Sequence, residues 1–325
     1  MNKLGTAVTI VVSTLASPAL ADSLEVLRAE VANIAEIAGG NVGASIAFAG
    51  GEPIDLIHGD RPFPMMSTVK VPISLHALDL VSQGEMSLET LITIDADDLS
   101  VLSPVSNTFP LAPVTSTLYS LMWTTIVDSD NASPNAIMRA MSGPEGVEEW
   151  VRAHGIKDMD ISRNLNELFA DTYGVETFGE VRAILEERGQ EPGGAEAFFI
   201  QPIESPTWTD PRDTTSPNAM VDLLSSFMAG DLLDQERTAV LADIMEQTRT
   251  GADRLRGMLP PGTVAGNKTG TGHDVVNDVG WIRLPDGRIL TIAVYNNNKA
   301  AFLTKERVIA QIARAAYDWA VFTTE

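Results

Sequence analysis

The chain has 325 residues, of which 44% are hydrophobic and 20% are charged, so its composition is that of a folded protein with a full core. This excludes a disordered, collagen-like or low-complexity protein. The 22 Lys and Arg residues are outnumbered by 44 Asp and Glu residues, which gives a net charge of −22. Such a charge repels phosphate backbones and anionic lipid headgroups, so it argues against nucleic acid as a partner.

The first 21 residues have the pattern of a secretion signal. Lys3 precedes an apolar stretch over residues 4–15, and residues 19–21 are Ala-Leu-Ala, the small-x-small form of a signal-peptidase site. The stretch is shorter than the about 20 residues that a membrane-spanning helix needs. We therefore predict a signal peptide over residues 1–21, a mature chain that begins at Asp22, and a periplasmic protein without a membrane anchor. An uncleaved N-terminal anchor is the alternative.

Apolar residues recur at helical spacing in several segments and at strand spacing in others. The predicted helices cover residues 23–37, 67–84, 115–128, 133–141, 146–154, 216–250 and 304–322, and the predicted strands cover residues 42–49, 54–58, 278–283 and 288–296. Strands thus lie near both chain ends, and the middle of the chain is helical. This order predicts an α/β protein in which one antiparallel sheet is built from both chain ends, with an inserted all-helical lobe.

A Ser and a Lys three positions apart open the first helix of this lobe. Ser67 and Lys70 then lie on one helical face, where the side-chain amine can hydrogen-bond the hydroxyl. Ser67 also lies at the helix N-terminus, where backbone N–H groups and the helix dipole favour a developing oxyanion. Alone, the pattern is weak, because Ser67 has an equally plain role as an N-cap.

Two further polar segments carry side chains suited to catalysis. Ser129-Asp130-Asn131 lies between two predicted helices, and the segment 268–272, Lys-Thr-Gly-Thr-Gly, precedes a strand pattern. Either segment by itself is compatible with a turn. Gly270 and Gly272 have the permissive backbone that a strand needs where a ligand lies flat against it.

Together, and in this order, the three segments resemble the Ser-x-x-Lys, Ser-Asp-Asn and Lys-Thr-Gly motifs of class A serine β-lactamases. The resemblance extends through residues 99–105 and 213–217 and covers nearly all of the predicted mature chain. It implies the β-lactamase/transpeptidase-like fold, in which the antiparallel sheet has five strands, and one catalytic domain over residues 22–325. It also implies a monomeric serine hydrolase that opens the β-lactam ring through an acyl-enzyme, without a cofactor.

The resemblance implies a role for each residue of the motifs. Ser67 is the nucleophile, Lys70 is its proton acceptor or relay, and Ser129 donates a proton to the departing lactam nitrogen. The backbone N–H groups of Ser67 and Thr271 form the oxyanion hole. The implied substrate-binding residues are Asn131 for the side-chain amide, Lys268 and Thr269 for the carboxylate, and Gly270 and Thr271 along the strand.

The segment that should carry the deacylating base departs from the family pattern Arg-x-Glu-x-x-Leu-Asn. In register from Arg163, Leu165 stands in place of the Glu and Phe169 in place of the Asn. Glu167 lies two positions further along the chain and is the first candidate base. Glu204 is the second candidate, and a chain in which neither acts is the third alternative.

An insertion of about residues 170–207 lengthens this Ω-loop region. Arg163 and Asp213, the pair that should close the loop by a salt bridge, are 50 residues apart. Loops of that length usually fold internally or serve a function. Within the insertion the sequence predicts a short helix at residues 177–188 and a turn at residues 189–194.

Three other functions share part of this pattern. A D,D-peptidase or penicillin-binding protein uses the same motifs but keeps its acyl-enzyme; the altered Ω-loop favours it, and Asp130 and the lack of a predicted anchor oppose it. A slow-deacylating β-lactam sensor and an esterase are the others. The four histidines, His58, His76, His154 and His273, are scattered without metal-binding spacing, so no metal is predicted.

Overall fold

The computed structural model describes residues 18–187 and 210–323. Its helices are α1 (Pro18–Ile37), α2 (Lys70–Ser82), α3 (Pro104–Thr108), α4 (Leu118–Val127), α5 (Ala132–Ala140), α6 (Gly143–Ala153), α7 (Leu165–Tyr173), α8 (Phe178–Glu187), α9 (Pro217–Ala229), α10 (Gln235–Glu246) and α11 (Phe302–Phe322), with a 3₁₀ helix at Met66–Val69. Its strands are β1 (Val42–Phe48), β2 (Ile54–Ile57), β3 (Phe63–Pro64), β4 (Leu91–Ile94), β5 (Val114–Thr117), β6 (Thr214–Thr215), β7 (Ala265–Gly272), β8 (Val275–Arg283) and β9 (Ile289–Asn297).

The central sheet has the strand order β2-β1-β9-β8-β7 and is antiparallel throughout. The two halves of the chain meet at the β1–β9 pair, where Val42 lies opposite Asn296 and Phe48 opposite Leu290. The predicted α/β fold, with one five-stranded sheet built from both chain ends, is confirmed. β7 contains the Lys-Thr-Gly segment itself, which the sequence pattern had placed just before a strand.

Alternate residues of the sheet face two separate cores. In β9, Ile292 and Val294 belong to the core shared with α1 and α11, whereas Ala293 and Tyr295 belong to the core shared with the helical lobe. A period of two with both faces buried is typical of a sheet covered by helices on each side. The molecule therefore has three layers, and the lobe side of the sheet carries the site described below.

The helical lobe differs from the predicted elements at three places. The helix predicted at residues 67–84 starts as the 3₁₀ turn before α2. Residues 114–117, which are rich in β-branched side chains, form β5 opposite β4 before α4 begins. The helix predicted over residues 216–250 is two helices, because Gly230 adopts φ 81° and ends α9 with a left-handed C-cap.

The start of the described chain bears on the predicted signal peptide. α1 begins at Pro18, ahead of the predicted helix start, in agreement with the preference of proline for a first helical turn. Residues 1–17 lie outside the described residues, so the signal peptide stays a prediction. Across residues 18–187 and 210–323, no helix combines the length and the apolar character needed to cross a membrane.

A buried ion cluster closes the Ω-loop region. Arg163 Nε lies 2.5 Å from Asp213 Oδ2, which confirms the predicted closing pair, and Arg163 Nη1 lies 2.5 Å from Asp171 Oδ2 and 3.1 Å from Asp210 Oδ2. The helix predicted at residues 177–188 corresponds to α8, which packs back on α7 through a small apolar cluster. Residues 188–209, with Glu204 and the predicted turn, lie outside the described part of the chain.

Candidate active site

Ser67 lies in the 3₁₀ turn that packs against β7 and β8. A Cβ atom at Gly270 would lie 2.6 Å from the Met65 carbonyl oxygen, so this strand position requires glycine to let the turn approach. The glycine therefore makes room for the protein's own backbone, a role that the sequence interpretation did not foresee. Met66 has φ 51°, a left-handed conformation that costs a non-glycine residue about 1–3 kcal/mol. Packing thus holds Ser67 in a strained and well-defined turn.

Lys70 is fully buried at the start of α2. Its Nζ atom lies 3.2 Å from Ser67 Oγ, 2.8 Å from the Ser129 carbonyl oxygen and 2.6 Å from Asn131 Oδ1. Burial lowers the pKa of Lys70 to about 7, and the negative charge of Asp130 opposes this only in part. Lys70 is therefore a lysine that can exchange a proton with Ser67 near neutral pH.

The Ser129-Asp130-Asn131 segment forms the loop between α4 and α5. Ser129 has φ 56°, and its hydroxyl lies 3.3 Å from Lys70 Nζ. Asp130 is fully buried and accepts hydrogen bonds from the backbone N–H groups of Ser133, at 2.7 Å, and Val105, at 3.0 Å. Asn131 Nδ2 donates to the Val101 carbonyl at 2.9 Å. Asp130 thus braces the loop, while the Ser129 hydroxyl faces Lys70.

Strand β7 carries the second lysine. Lys268 is fully buried, and its Nζ donates to Ser129 Oγ and to the Thr269 carbonyl, both at 2.8 Å. Burial, and to a smaller extent the charge of Lys70, lower the pKa of Lys268. Ser67, Lys70, Ser129 and Lys268 therefore form one continuous row of polar contacts, assembled from three separate segments of the chain.

Arg254 was not found by sequence reasoning. It is buried, its Nε lies 3.0 Å from Glu306 Oε1, and it donates to the Gly270 carbonyl at 3.2 Å and to Thr271 Oγ1 at 2.9 Å. Its partners are 16, 17 and 52 residues away in the sequence, so no local pattern points to it. Arg254 adds a third cation to the site and fixes the end of β7.

Asp278 is a second residue that the sequence analysis missed. It lies on β8 opposite Thr269, fully buried, and accepts hydrogen bonds from Asn267 Nδ2 at 2.8 and 3.0 Å and from the Leu255 backbone at 3.1 Å. Burial raises the pKa of Asp278 to about 6. Its negative charge raises the pKa of Lys268, whereas burial lowers it. This carboxylate therefore partly offsets the effect of burial on the second lysine.

These groups surround a cavity of about 400 Å³. Five of the predicted site residues line it, namely Ser67, Ser129, Asn131, Thr269 and Thr271. The wall contributed by Leu102 and by α7 is apolar and includes Leu165, Leu168 and Phe169. The cavity thus has one polar, cationic side and one apolar side.

Glu167 does not line this cavity. It is an exposed residue in the first turn of α7, where its carboxylate accepts a hydrogen bond from the Asn164 backbone at 2.8 Å. The Asn164 side chain accepts in return from the Glu167 backbone at 3.0 Å, which makes a capping box. Glu167 is therefore engaged in helix capping, while Leu165 and Phe169 of the same helix face the cavity.

Among the described residues, the carboxylates that line the cavity are Asp128, Asp253 and Glu306. Asp128 is paired with Arg249 at 3.0 Å, Glu306 is paired with Arg254, and Asp253 is exposed. Within the same residues no three His, Asp or Glu side chains converge on a point where they would hold a metal ion. His273 also lines the cavity.

Comparison with known proteins agrees with this arrangement. The model of a family described as the beta-lactamase enzyme family matches residues 26–320. The chain is 26% identical to the β-lactamase VEB-1 of Pseudomonas aeruginosa over 305 residues, which are 90% of each protein. It is 26% identical over 277 residues to the extended-spectrum β-lactamase PER-1 of Pseudomonas aeruginosa, covering 82% of this chain and 78% of that one.

A solved structure gives the same result in three dimensions. A β-lactamase from Chitinophaga pinensis superposes with a TM-score of 0.73 and 30% sequence identity, covering 90% of this chain and 99% of that one. The similarity therefore spans the whole described fold, including all segments that form the cavity.

Proposed function

We propose that this chain, which belongs to the beta-lactamase enzyme family and is a class A serine β-lactamase, opens the β-lactam ring with Ser67 as its nucleophile. The enzyme hydrolyses β-lactam antibiotics, an activity that gives resistance to them. One observation carries the assignment of the nucleophile: the row of contacts from Ser67 through Lys70 and Ser129 to Lys268.

In the acylation step, the Ser67 hydroxyl attacks the lactam carbonyl and its proton passes to the neutral amine of Lys70. The 3.2 Å separation of Lys70 Nζ and Ser67 Oγ, and a Lys70 pKa of about 7, support this transfer. When the C–N bond breaks, Ser129 delivers a proton to the ring nitrogen and regains one from Lys70. The contact of 3.3 Å between Lys70 Nζ and Ser129 Oγ supports that relay. The backbone N–H groups of Ser67 and Thr271 would bind the developing oxyanion.

The cationic side of the cavity suits the carboxylate that penicillins and cephalosporins carry. Lys268 and Thr269 would bind this carboxylate, with Arg254 behind Thr271 as a further positive charge. Asn131 lines the cavity and would hold the acylamino side chain of the substrate. The cations are local, since the chain as a whole carries a net charge of −22.

The deacylation step is the one at which a second candidate function would differ from a β-lactamase. Glu167, the candidate base two positions beyond the family register, caps α7, and Leu165, which stands in that register, faces the cavity. This apolar wall favours slow deacylation, the behaviour of a penicillin-binding protein or D,D-peptidase. Turnover of nitrocefin, measured beside the mass of the intact protein, separates the two: repeated turnover indicates a lactamase, and a lasting adduct indicates an acceptor.

The nucleophile is tested by Ser67→Ala. We expect this variant to lose both nitrocefin hydrolysis and covalent labelling by benzylpenicillin, because both need the same hydroxyl. Thr68→Val, which changes the neighbouring hydroxyl, serves as the control, and we expect it to retain labelling. Labelling of Ser67→Ala by the penicillin would contradict the assignment.

The same proposal includes the location of the enzyme. The N-terminal pattern of residues 1–21 supports export by a cleaved signal peptide, and the periplasm is the compartment in which β-lactams reach their targets. We expect the mature enzyme to act there as a monomer on a small-molecule substrate.

A further inference from the structure

We propose that Lys70 is the proton acceptor in the deacylation step as well as in acylation, so that one amine serves both halves of the reaction. This inference rests on the proposed role of Ser67 as the nucleophile. It concerns the hydrolysis of the acyl-enzyme, for which the capped carboxylate of Glu167 is not in the cavity.

The hydrogen bonds of Lys70 suit a neutral amine. A neutral amine has two N–H donors and one lone pair, whereas the ammonium form has three donors and no lone pair. The two shortest contacts of Nζ are to oxygens that only accept, the Ser129 carbonyl at 2.8 Å and Asn131 Oδ1 at 2.6 Å. The other two contacts are the hydroxyls of Ser67, at 3.2 Å, and Ser129, at 3.3 Å, so in the neutral amine the lone pair faces these hydroxyls. Since Ser67 Oγ becomes the ester oxygen of the acyl-enzyme, the lone pair remains beside the bond that water must break.

The wall opposite Lys70 supplies no competing base among the described residues. Leu165, Leu168 and Phe169 line it, and an amide oxygen of Asn135 fixes the Leu165 backbone N–H at 2.9 Å. Such a wall offers a water molecule no carboxylate, whereas Lys70 contacts Ser67 Oγ, the future ester oxygen, at 3.2 Å. Of the three described carboxylates that line the cavity, Asp128 and Glu306 are each paired with an arginine, and Asp253 is exposed.

The deacylation step then balances as follows. Water attacks the carbonyl carbon of the Ser67 ester and gives one proton to Lys70 Nζ. The C–O bond to Ser67 breaks, and Lys70 returns that proton to Ser67 Oγ. The product leaves with the remaining hydroxyl group as its new carboxylic acid, and the free enzyme is restored.

The proposal makes deacylation depend on pH through Lys70. Only the neutral amine accepts a proton, so the rate constant should rise with pH up to about 7 and then level off. The charge of Asp130, from the loop between α4 and α5, acts on the pKa of Lys70, and the charge of Lys70 acts in turn on the pKa of Lys268, from β7. The charges of Asp278 and Arg254 act on the pKa of Lys268. A carboxylate base would instead level off near pH 5, above its ordinary pKa.

The experiment follows the benzylpenicillin adduct by rapid quench and intact-protein mass. The adduct is formed at pH 7, then diluted into buffers from pH 5 to 9, and its decay is measured. We expect the decay constant to rise about tenfold per pH unit below 7 and to be unchanged by Glu167→Gln. A decay constant that is flat from pH 5 upward would overturn the proposal, as would a slower decay in Glu167→Gln or Glu204→Gln.

A second pair of variants tests the wall directly. Leu165→Glu puts a carboxylate on the cavity side of α7, and Leu165→Gln has the same shape without the base. We expect only Leu165→Glu to hasten decay, by about tenfold or more, and to extend it to lower pH. Equal decay in the two variants, both still acylated, would contradict the idea that the wall lacks a base. Absence of any adduct on the unaltered protein would instead refute the proposed nucleophile.

Discussion

The side chains of the site illustrate how burial tunes individual residues. Lys70 and Lys268 are both fully buried and both have lowered pKa values, but their partners differ. Lys70 contacts the nucleophile, while Lys268 contacts Ser129 and has the compensating charge of Asp278 on the next strand. Two lysines in one cavity are therefore suited to two tasks, proton transfer and anion binding.

Lys268→Ala tests the second task. We expect kcat/KM for benzylpenicillin to fall by about 10- to 100-fold, because a charge-assisted contact is worth roughly 1.5–3 kcal/mol. The methyl ester of the same penicillin, which lacks the charge, should lose less. Lys299→Ala, an exposed lysine paired with Asp274, is the control and should leave both substrates unaffected. Equal losses for the acid and the ester would contradict the binding role.

At the scale of elements, α7 determines the character of the cavity. Its capping box holds Glu167 at the surface and turns Leu165 and Phe169 inward. Both ends of the Ω-loop region are held by Arg163, whose side chain is about 5% exposed and contacts Asp171, Asp210 and Asp213. The position of the apolar wall therefore depends on one buried cation.

The stability of this closure is tested by a matched pair of arginines. Arg163→Ala leaves the buried Asp213 without its partner, which should lower the free energy of unfolding by about 3–5 kcal/mol. Arg212 contacts Asp171 and Asp210 but is 47% exposed, so Arg212→Ala should cost about 1 kcal/mol or less. Urea unfolding followed by circular dichroism measures both. Similar losses in the two variants would show that the closure does not depend on burial.

The whole molecule combines an acidic exterior with a cationic cavity. The net charge is −22, yet Lys70, Lys268 and Arg254 are gathered at one end of the sheet. The sheet requires both chain ends. Among residues 22–37 of α1, for which side-chain burial is described, the first buried apolar residue is Leu27, beyond the predicted cleavage site.

At the scale of the whole molecule, we predict that the protein is exported and cleaved. Cleavage after Ala21 should leave a folded enzyme, because Leu27, Val31 and the other buried residues of α1 remain in the chain. We expect the enzyme in the periplasmic fraction to have the mass of a chain that starts at Asp22. A chain with residues 1–21 deleted and expressed in the cytoplasm should have the same melting temperature. Recovery of the full-length chain in the membrane fraction would favour the uncleaved anchor.

The sequence by itself determined the features that depend on local or ordered patterns. Apolar residues at a period of two placed β1, β2, β8 and β9, and the order of the elements determined one antiparallel sheet built from both chain ends. The three motifs identified Ser67, Lys70, Ser129 and Lys268, because each motif is a short run with fixed spacing. The helical pattern predicted α8, and the family resemblance implied the fifth strand and the Arg163–Asp213 pair.

Only the tertiary structure decided the features that depend on distant contacts. Arg254 and Asp278 belong to the site through partners on other strands and helices, so no spacing in the sequence reveals them. The need for glycine at position 270 comes from the Met65 carbonyl, which is brought close by the packing of the 3₁₀ turn on β7. The sequence made Glu167 a candidate base because it lies two positions beyond the family register. The cap and the packing of α7 decide which side of this helix faces the cavity, and they place Leu165 there.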